Sequence, residues 1–131
     1  MSRKVLSILE TGFRATLEEQ DDTVVWFHHA VKGAAAAGGD FTLLLRGNAV
    51  VVASKKQDAS GLSFGARKQT RPPGLAGDLT SLAKKGVRLL AIQEDVERYG
   101  LSRDELIGEI ELVAKSRVAE LAAAHDAVWC W

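Results

Sequence analysis

Four polar residues that could do chemistry come directly after one short apolar run. Gln93, Glu94 and Asp95 follow Val87–Ile92, and Arg98 lies three residues further on. An apolar run of this length that ends in polar residues is typical of a buried strand followed by a loop. In an open α/β sheet, ligands bind outside the carboxyl ends of the strands. We therefore expect these four side chains to form part of a binding site, and Glu94 or Asp95 would be the general base if the site were catalytic.

Two other predicted strands end in polar residues. Glu10 follows Lys4–Leu9, and Arg46 follows Asp40–Leu45. Parallel strands end at the same edge of a sheet, so residues after each strand should lie together. The predicted ligand-binding residues are Glu10, Thr11, Gly12, Arg14, Arg46, Gly47, Asn48, Gln93, Glu94, Asp95 and Arg98.

A long segment without periodicity, Ser54–Gly77, carries five basic residues and one acidic residue, Asp58. Loops of this length in compact domains are usually functional lids or disordered. A solvated basic loop is the simpler interpretation. The alternative is a lid that attracts an anionic ligand to the site.

The single cysteine, Cys130, lies in the apolar, strand-like ending Ala127–Trp131. A free cysteine is usually buried and packs as a small hydrophobic residue. We therefore expect a structural Cys130, with catalysis as the alternative. On a strand, Trp129 and Trp131 face away from Cys130, and we expect them to be packing or interface residues.

The sequence contains no recognisable metal or cofactor motif. His28 and His29 are adjacent, hence about 100° apart on a helix, and no third ligand lies at metal spacing. Neither a glycine-rich phosphate loop nor a GxSxG nucleophile motif is present. We predict neither a metal nor a cofactor.

The overall composition limits the classes of partner. The 131 residues carry 17 basic and 17 acidic side chains, so the formal net charge is zero. This balance argues against attraction of the whole chain to nucleic acid or to a membrane surface. One cysteine allows no intrachain disulfide, and the apolar run at the N-terminus is too short for a signal peptide or a membrane span. We expect a single-domain cytoplasmic protein.

Strands and helices alternate along the chain, which predicts a mostly parallel sheet of about five strands covered on both faces. This is the fold class α/β, a three-layer α/β/α sandwich with flavodoxin-like layering. The predicted strands are Lys4–Leu9, Asp40–Leu45, Val87–Ile92, Glu109–Val113 and Ala127–Trp131. The predicted helices are Asp21–Gly39, Ala49–Ala53, Asp78–Gly86, a turn at Asp95–Gly100, a helix from Ser102 through Ile107, and Ser116–Ala124.

Polar residues at the predicted helix starts favour these boundaries. Asn48, Asp78 and Asp95 are good N-cap residues for the segments that follow them. Ser102 with Glu105 three residues later forms a capping box. Gly86 should end the helix that begins near Asp78.

This order of elements, with its particular joints, resembles the DsrE/DsrF-like family of small sulfur-relay and related proteins. The resemblance spans nearly the whole chain and rests on KVLSILE, DFTLLLRGNAVVVA, GVRLLAIQEDVERYGLSRDELI and SRVAELAAAHDAVWCW. It implies one three-layer domain over residues 1–131 that forms homo- or hetero-oligomers, often trimers or hexamers. In sulfur-relay members it also implies a cysteine just after the third main strand, which carries sulfur as a persulfide.

The corresponding loop here reads Ile92-Gln93-Glu94-Asp95 and holds no cysteine. A carboxylate cannot carry a persulfide, because that chemistry needs a thiolate. The resemblance therefore implies the fold and the assembly rather than the sulfur chemistry at this loop.

Three functions remain open. We favour a non-enzymatic oligomer that binds a small ligand or a protein partner between Glu10–Arg14, Arg46–Asn48 and Gln93–Arg98. The resemblance adds an accessory role in sulfur metabolism and a sulfur-relay protein as the partner. The first alternative is a sulfurtransferase-like carrier that uses Cys130 or a cysteine of a partner. The second is a small hydrolase or lyase with Glu94 or Asp95 as base.

Overall fold

The computed structural model describes residues 3–10, 39–55, 63–64, 67–68 and 75–130. The strands in these ranges are β1 Arg3–Leu9, β2 Gly39–Leu45, β3 Ser63–Phe64, β4 Arg67–Lys68, β5 Arg88–Ile92, β6 Ile110–Val113 and β7 Ala127–Cys130. The α-helices are α1 Leu75–Lys84, α2 Gln93–Arg98 and α3 Val118–Ala123. The 3₁₀ helices are η1 Gly47–Ala53, η2 Arg103–Glu105 and η3 Lys115–Arg117.

Five strands form one parallel sheet in the order β6-β5-β2-β1-β7. Each of them lies within one residue of a predicted strand, so the predicted α/β class is confirmed. Each of β1, β2 and β5 contains a run of at least four buried residues, as expected for strands that are covered on both faces. Among the described strands, β6 and β7 lie at the two edges of the sheet.

Alternate residues of the strands point to two separate apolar clusters. On one face, β1, β2 and β5 pack against η1, against Leu79 and Leu82 of α1, and against Val96 of α2. On the other face, Leu6, Ile8, Leu44, Leu90 and Ile92 pack against Val118, Leu121 and Ala122 of α3. Helices therefore cover both faces, and the layers are α/β/α as predicted.

The connections place the carboxyl ends of four strands side by side. The links from β2 to β5 and from β5 to β6 carry η1, α1 and α2 on one face, and the link from β6 to β7 carries α3 on the other. Since all five strands are parallel, Glu10, Arg46, Gln93 and Ala114, which follow β1, β2, β5 and β6, lie at one edge of the sheet.

The helix before β5 begins three residues earlier than predicted. α1 starts at Leu75, so Asp78 is its fourth residue and not its N-cap. A carboxylate in the first turn still interacts favourably with the helix dipole. The predicted end at Gly86 is confirmed, since Gly86 has φ 91° and the Val87 N–H donates to the Leu82 carbonyl at 3.1 Å.

The predicted helix from Ser102 through Ile107 is wrong. Only the short turn η2 forms, and the Ser102 hydroxyl donates to the Glu105 carboxylate at 3.3 Å without capping the backbone. Leu106 instead forms an antiparallel bridge with Ser54, and the Ile107 N–H donates to the Ala53 carbonyl at 3.0 Å. Pairing with the end of η1 satisfies the backbone groups that a helix would have used.

The segment after β2 is helical, as predicted, but it is a 3₁₀ helix that begins at Gly47. Asn48 therefore lies inside η1, and the prediction that it is an N-cap is wrong. Three consecutive valines, at 50–52, disfavour an α-helix because their χ1 angles are restricted there.

Several predictions fall on residues outside the described ranges. They include the helix from Asp21 up to residue 38, His28, His29 and Trp131; Gly39, expected to end that helix, is the first residue of β2. In the basic segment 54–77, the structure adds the antiparallel pair β3–β4, which the sequence did not indicate. None of the helices in the described ranges is long and apolar enough to cross a membrane.

Candidate functional site

A polar cavity of about 300 Å³ lies at the carboxyl edge of the sheet. We call it the strand-end cavity. Residues that follow β1, β2, β5 and β6 form its walls, so four separate connections contribute to one site. The described residues that line it are Glu10, Arg46, Gly47, Asp95, Arg98 and Lys115.

One hydrogen bond ties the β5 connection to the β2 connection. The Asp95 carboxylate accepts the Gly47 N–H at 2.8 Å, and this contact is partly buried. The prediction that Asp95 caps its own helix is wrong, because α2 begins at Gln93 directly after β5 and Asp95 is its third residue. The carboxylate is thus free to satisfy the backbone N–H at the start of η1.

Gly47 allows the β2 connection to approach the end of β1. Its φ is 58°, in the left-handed region, and a Cβ atom there would lie 3.1 Å from the Glu10 carbonyl oxygen. The neighbouring Arg46 N–H donates to the Leu9 carbonyl at 2.9 Å and extends the contact between the two strand ends. A side chain at position 47 would push these two walls of the cavity apart.

Glu94 performs a similar positioning role on the other side of the cavity. Both of its carboxylate oxygens lie 3.0 Å from the Lys115 backbone nitrogen and accept its N–H. Lys115 is the first residue of η3, just after β6. This contact holds the β6 connection against α2 and places Lys115 at the cavity.

The charged side chains of the cavity are unequally paired. The Arg46 guanidinium lies 3.5 Å from the Glu10 carboxylate, and both side chains are close to half exposed. The exposed side chains of Arg98 and Lys115 make no hydrogen bond or ion pair within the part of the chain that the structure describes. With three cations and two carboxylates, the described wall carries a surplus of positive charge.

Most of the predicted site residues in the described ranges do come together. Glu10, Arg46, Gly47, Asp95 and Arg98 line the cavity. Thr11, Gly12 and Arg14 lie outside the described residues.

The remaining predicted residues are not among the described lining residues. The exposed Gln93 side chain donates to Glu97 at 3.2 Å, Asn48 lies in η1, and Glu94 acts through the Lys115 backbone. Lys115 was missed, although it follows the predicted strand Glu109–Val113 by only two residues.

A larger cavity of about 900 Å³ lies along the edge strand β6, between this strand, η3 and α3. We call it the β6 groove. Val113 and Leu121 contribute apolar surface to it. Its three arginines all have partners: Arg88 pairs with Glu111 at 2.8 Å, Arg117 pairs with Glu120 at 3.3 Å, and Arg103 donates to three backbone carbonyls.

The prediction that Cys130 is buried is wrong, since its side chain is exposed. β7 is an edge strand, and α3 packs on Leu6 and Ile8 of the neighbouring strand without covering Cys130. Trp129, on the opposite face, packs against Phe41 with ring centroids 6.0 Å apart, as expected of a packing residue. The described residues contain no group of three His, Cys, Asp or Glu side chains that could hold a metal ion.

Comparisons with known proteins identify the fold only. No protein-family model matches the chain, and no curated protein matches its sequence. The solved structure of the ychN protein from E. coli matches with a TM-score of 0.70 at 14% identity, over 98% of this chain and 99% of that one.

Two proteins of unknown function match in the same way. One, from Methanobacterium thermoautotrophicum, has a TM-score of 0.63 at 16% identity, over 98% of this chain and 99% of that one. The other, from Bacteroides thetaiotaomicron, has a TM-score of 0.65 at 14% identity, over 97% and 94%. The chain therefore shares its fold with proteins of its own length.

Proposed function

We propose that this chain is a non-enzymatic, DsrE/DsrF-like α/β protein that binds a small ligand in the strand-end cavity. The observation that carries the proposal is the convergence of four strand connections on one polar cavity, with two cationic side chains left without a described partner. This is the edge at which α/β sheets bind ligands.

The roles of the two carboxylates support binding over catalysis. Asp95 accepts the Gly47 N–H, and Glu94 accepts the Lys115 N–H with both oxygens. A general base needs a carboxylate oxygen within reach of a substrate proton. Here the hydrogen bonds of both groups serve to position backbone, which favours a binding site over a hydrolase or lyase.

An accessory role in sulfur metabolism rests on the sequence resemblance together with the α/β fold. The absence of a cysteine between Ile92 and Asp95 favours a member that binds a ligand without carrying sulfur at this loop. A protein partner from a sulfur relay is a further part of the proposal.

Assembly into a homo-oligomer, a trimer or hexamer by resemblance, is also proposed. Val128 is 40% exposed and Trp129 is 37% exposed on the edge strand β7, so apolar surface is available for contact with a second subunit. Light scattering coupled to gel filtration tests this proposal: a trimer or hexamer supports it, and a monomer contradicts it.

A thermal-shift experiment tests ligand binding. The protein is heated with inorganic phosphate, malonate, glucose or choline, and a compound that binds only the folded state raises the melting temperature. Arg98→Ala should remove the shift because Arg98 lines the cavity. Gln93→Ala is the matched control on the same helix, and it should keep the shift because Gln93 pairs with Glu97 instead. Equal shifts in both variants would contradict binding in this cavity.

A second candidate function, sulfur transfer through Cys130, is favoured by the exposure of that thiol. In this step the Cys130 thiolate attacks the outer sulfur of a donor persulfide, R–S–SH. The new bond gives Cys130–S–SH, the donor S–S bond breaks, and the donor leaves as its thiolate, R–S⁻.

Intact-mass measurement after exposure to a persulfide donor tests this candidate. A gain of one sulfur atom that is absent from Cys130→Ser would support it. An unchanged mass would contradict sulfur transfer and leave ligand binding as the proposed function.

A further inference from the structure

We infer that the ligand of the strand-end cavity is a small anion that carries an oxyanion group, such as a carboxylate, phosphate or sulfate, and that Arg98 and Lys115 bind it together. This inference names the ligand class of the proposed function and rests on that function.

The first argument is the state of the charges in the cavity. Glu10 is paired with Arg46, and Asp95 is engaged by the Gly47 N–H. Arg98 and Lys115 alone among these charged side chains have no partner within the described ranges. An oxyanion would give each of them a charge-assisted hydrogen bond, the stronger kind of hydrogen bond in proteins.

The second argument is that the two cations come from different elements and are positioned on one cavity. Arg98 is the last residue of α2, and Lys115 is the first residue of η3. The Glu94 carboxylate holds the backbone of Lys115 against α2 at 3.0 Å, so both side chains face the same volume.

The size of the cavity favours a small ligand. Its volume of about 300 Å³ is at the lower end of the range for small-molecule sites. The planar guanidinium of Arg98 can donate two parallel hydrogen bonds to one oxyanion, while Lys115 supplies a compact point charge.

The β6 groove provides the internal comparison for this argument. It also carries three arginines, but each of them is occupied by a carboxylate or by backbone carbonyls. An anion there would have to displace an existing partner. The two regions thus differ in the availability of their cations rather than in the number of basic residues.

Calorimetric titration of the full chain with inorganic phosphate, malonate and sulfate at low ionic strength tests the inference. We expect saturable binding that weakens with added NaCl, because the cations are exposed and salt screens them. The double variant Arg98→Gln/Lys115→Gln should bind at least about tenfold more weakly, since charged hydrogen bonds are lost.

The matched control is Arg88→Gln/Arg117→Gln, which removes the same charge from the β6 groove and should bind within about twofold of the unchanged protein. Phosphate, malonate and sulfate give separate affinities and so distinguish the three oxyanion groups. Equal affinity of the cavity variant and the unchanged protein would overturn the inference.

Neutral and cationic probes separate the failure of this inference from failure of the proposed function. If glucose binds, with loss of binding in Arg46→Ala, or choline binds, with loss of binding in Glu10→Ala, and no anion does, the ligand class is wrong while the binding function stands. If none of the five probes binds, both are overturned.

Discussion

The strand-end cavity and the β6 groove differ in size and in how their charged side chains are paired. The groove measures about 900 Å³ and the strand-end cavity about 300 Å³. Each arginine of the groove has a carboxylate or backbone carbonyl partner. Two cations of the smaller cavity, in contrast, have no partner in the described ranges. A cavity that can select an ionic ligand is distinguished by charged side chains that have no protein partner, more than by its volume.

The difference follows from the way each region is built. Arg88 and Glu111 lie on the neighbouring strands β5 and β6, and Arg117 and Glu120 are three residues apart in one helical segment, so each pair can meet locally. The strand-end cavity gathers residues that are distant in sequence. Glu94 and Asp95 accept backbone N–H groups of neighbouring connections. Arg98 and Lys115 therefore have no carboxylate partner among the residues that the structure describes.

The largest effect on stability should come from adding a side chain at Gly47, where two walls of the cavity meet. Gly47→Ala places a residue at φ 58° and a Cβ atom 3.1 Å from the Glu10 carbonyl oxygen. We expect a loss of about 3 kcal/mol in the free energy of unfolding, from left-handed strain together with overpacking. Urea denaturation at a fixed protomer concentration measures it.

Gly100→Ala is the matched control for that substitution. Its φ is 70°, but a Cβ atom there would meet nothing within 4 Å. We expect a loss of about 1 kcal/mol from backbone strain alone. Equal losses at the two glycines would show that the contact between the strand ends contributes nothing.

An intermediate effect is expected at Asp95. Asp95→Ala leaves the partly buried Gly47 N–H without its acceptor and should cost about 1.5 kcal/mol of unfolding free energy. Asp95→Asn keeps an acceptor oxygen and should cost less. The asparagine variant also removes a negative charge from the cavity wall, so phosphate should bind it more tightly.

Urea denaturation and phosphate titration of both variants check this pair of effects. Weaker phosphate binding by Asp95→Asn would contradict the electrostatic account of the cavity. A larger loss of stability in the asparagine than in the alanine variant would contradict the hydrogen-bond account.

The smallest effect is expected in the β6 groove. Arg88 and Glu111 form an ion pair in which both side chains are 55% exposed. A double-mutant cycle to alanine should give a coupling energy below about 1 kcal/mol. Phosphate affinity should stay unchanged across the cycle, and a coupled loss of affinity would mean that the groove takes part in anion binding.

Much of the fold was predictable because its strands are compact apolar runs bounded by polar residues. The same pattern located five of the lining residues, since each follows a strand that the sequence marks clearly. Lys115 could have been included by the same reasoning, because it follows the predicted strand Glu109–Val113 by two residues.

The errors arose where tertiary contacts override a local signal. Ser102 and Glu105 form a capping box in sequence, but the backbone of residues 105–107 pairs with the end of η1. Asp95 is a good cap by type, yet it binds Gly47, which is distant in sequence. The residues around Cys130 are apolar, which predicts a buried side chain. Cys130 is nevertheless exposed, because β7 lies at an edge of the described sheet.

The most direct test of the central claim is a phosphate titration followed by ¹H–¹⁵N correlation spectra of the labelled protein. We predict progressive shifts of the Gly47 and Lys115 amide signals, whose N–H groups are held by Asp95 and Glu94 beside the ligand, with unchanged signals for Ile110–Val113 in the β6 groove. Shifts at Ile110–Val113 with unchanged Gly47 and Lys115 signals would contradict the account and place anion binding in the groove.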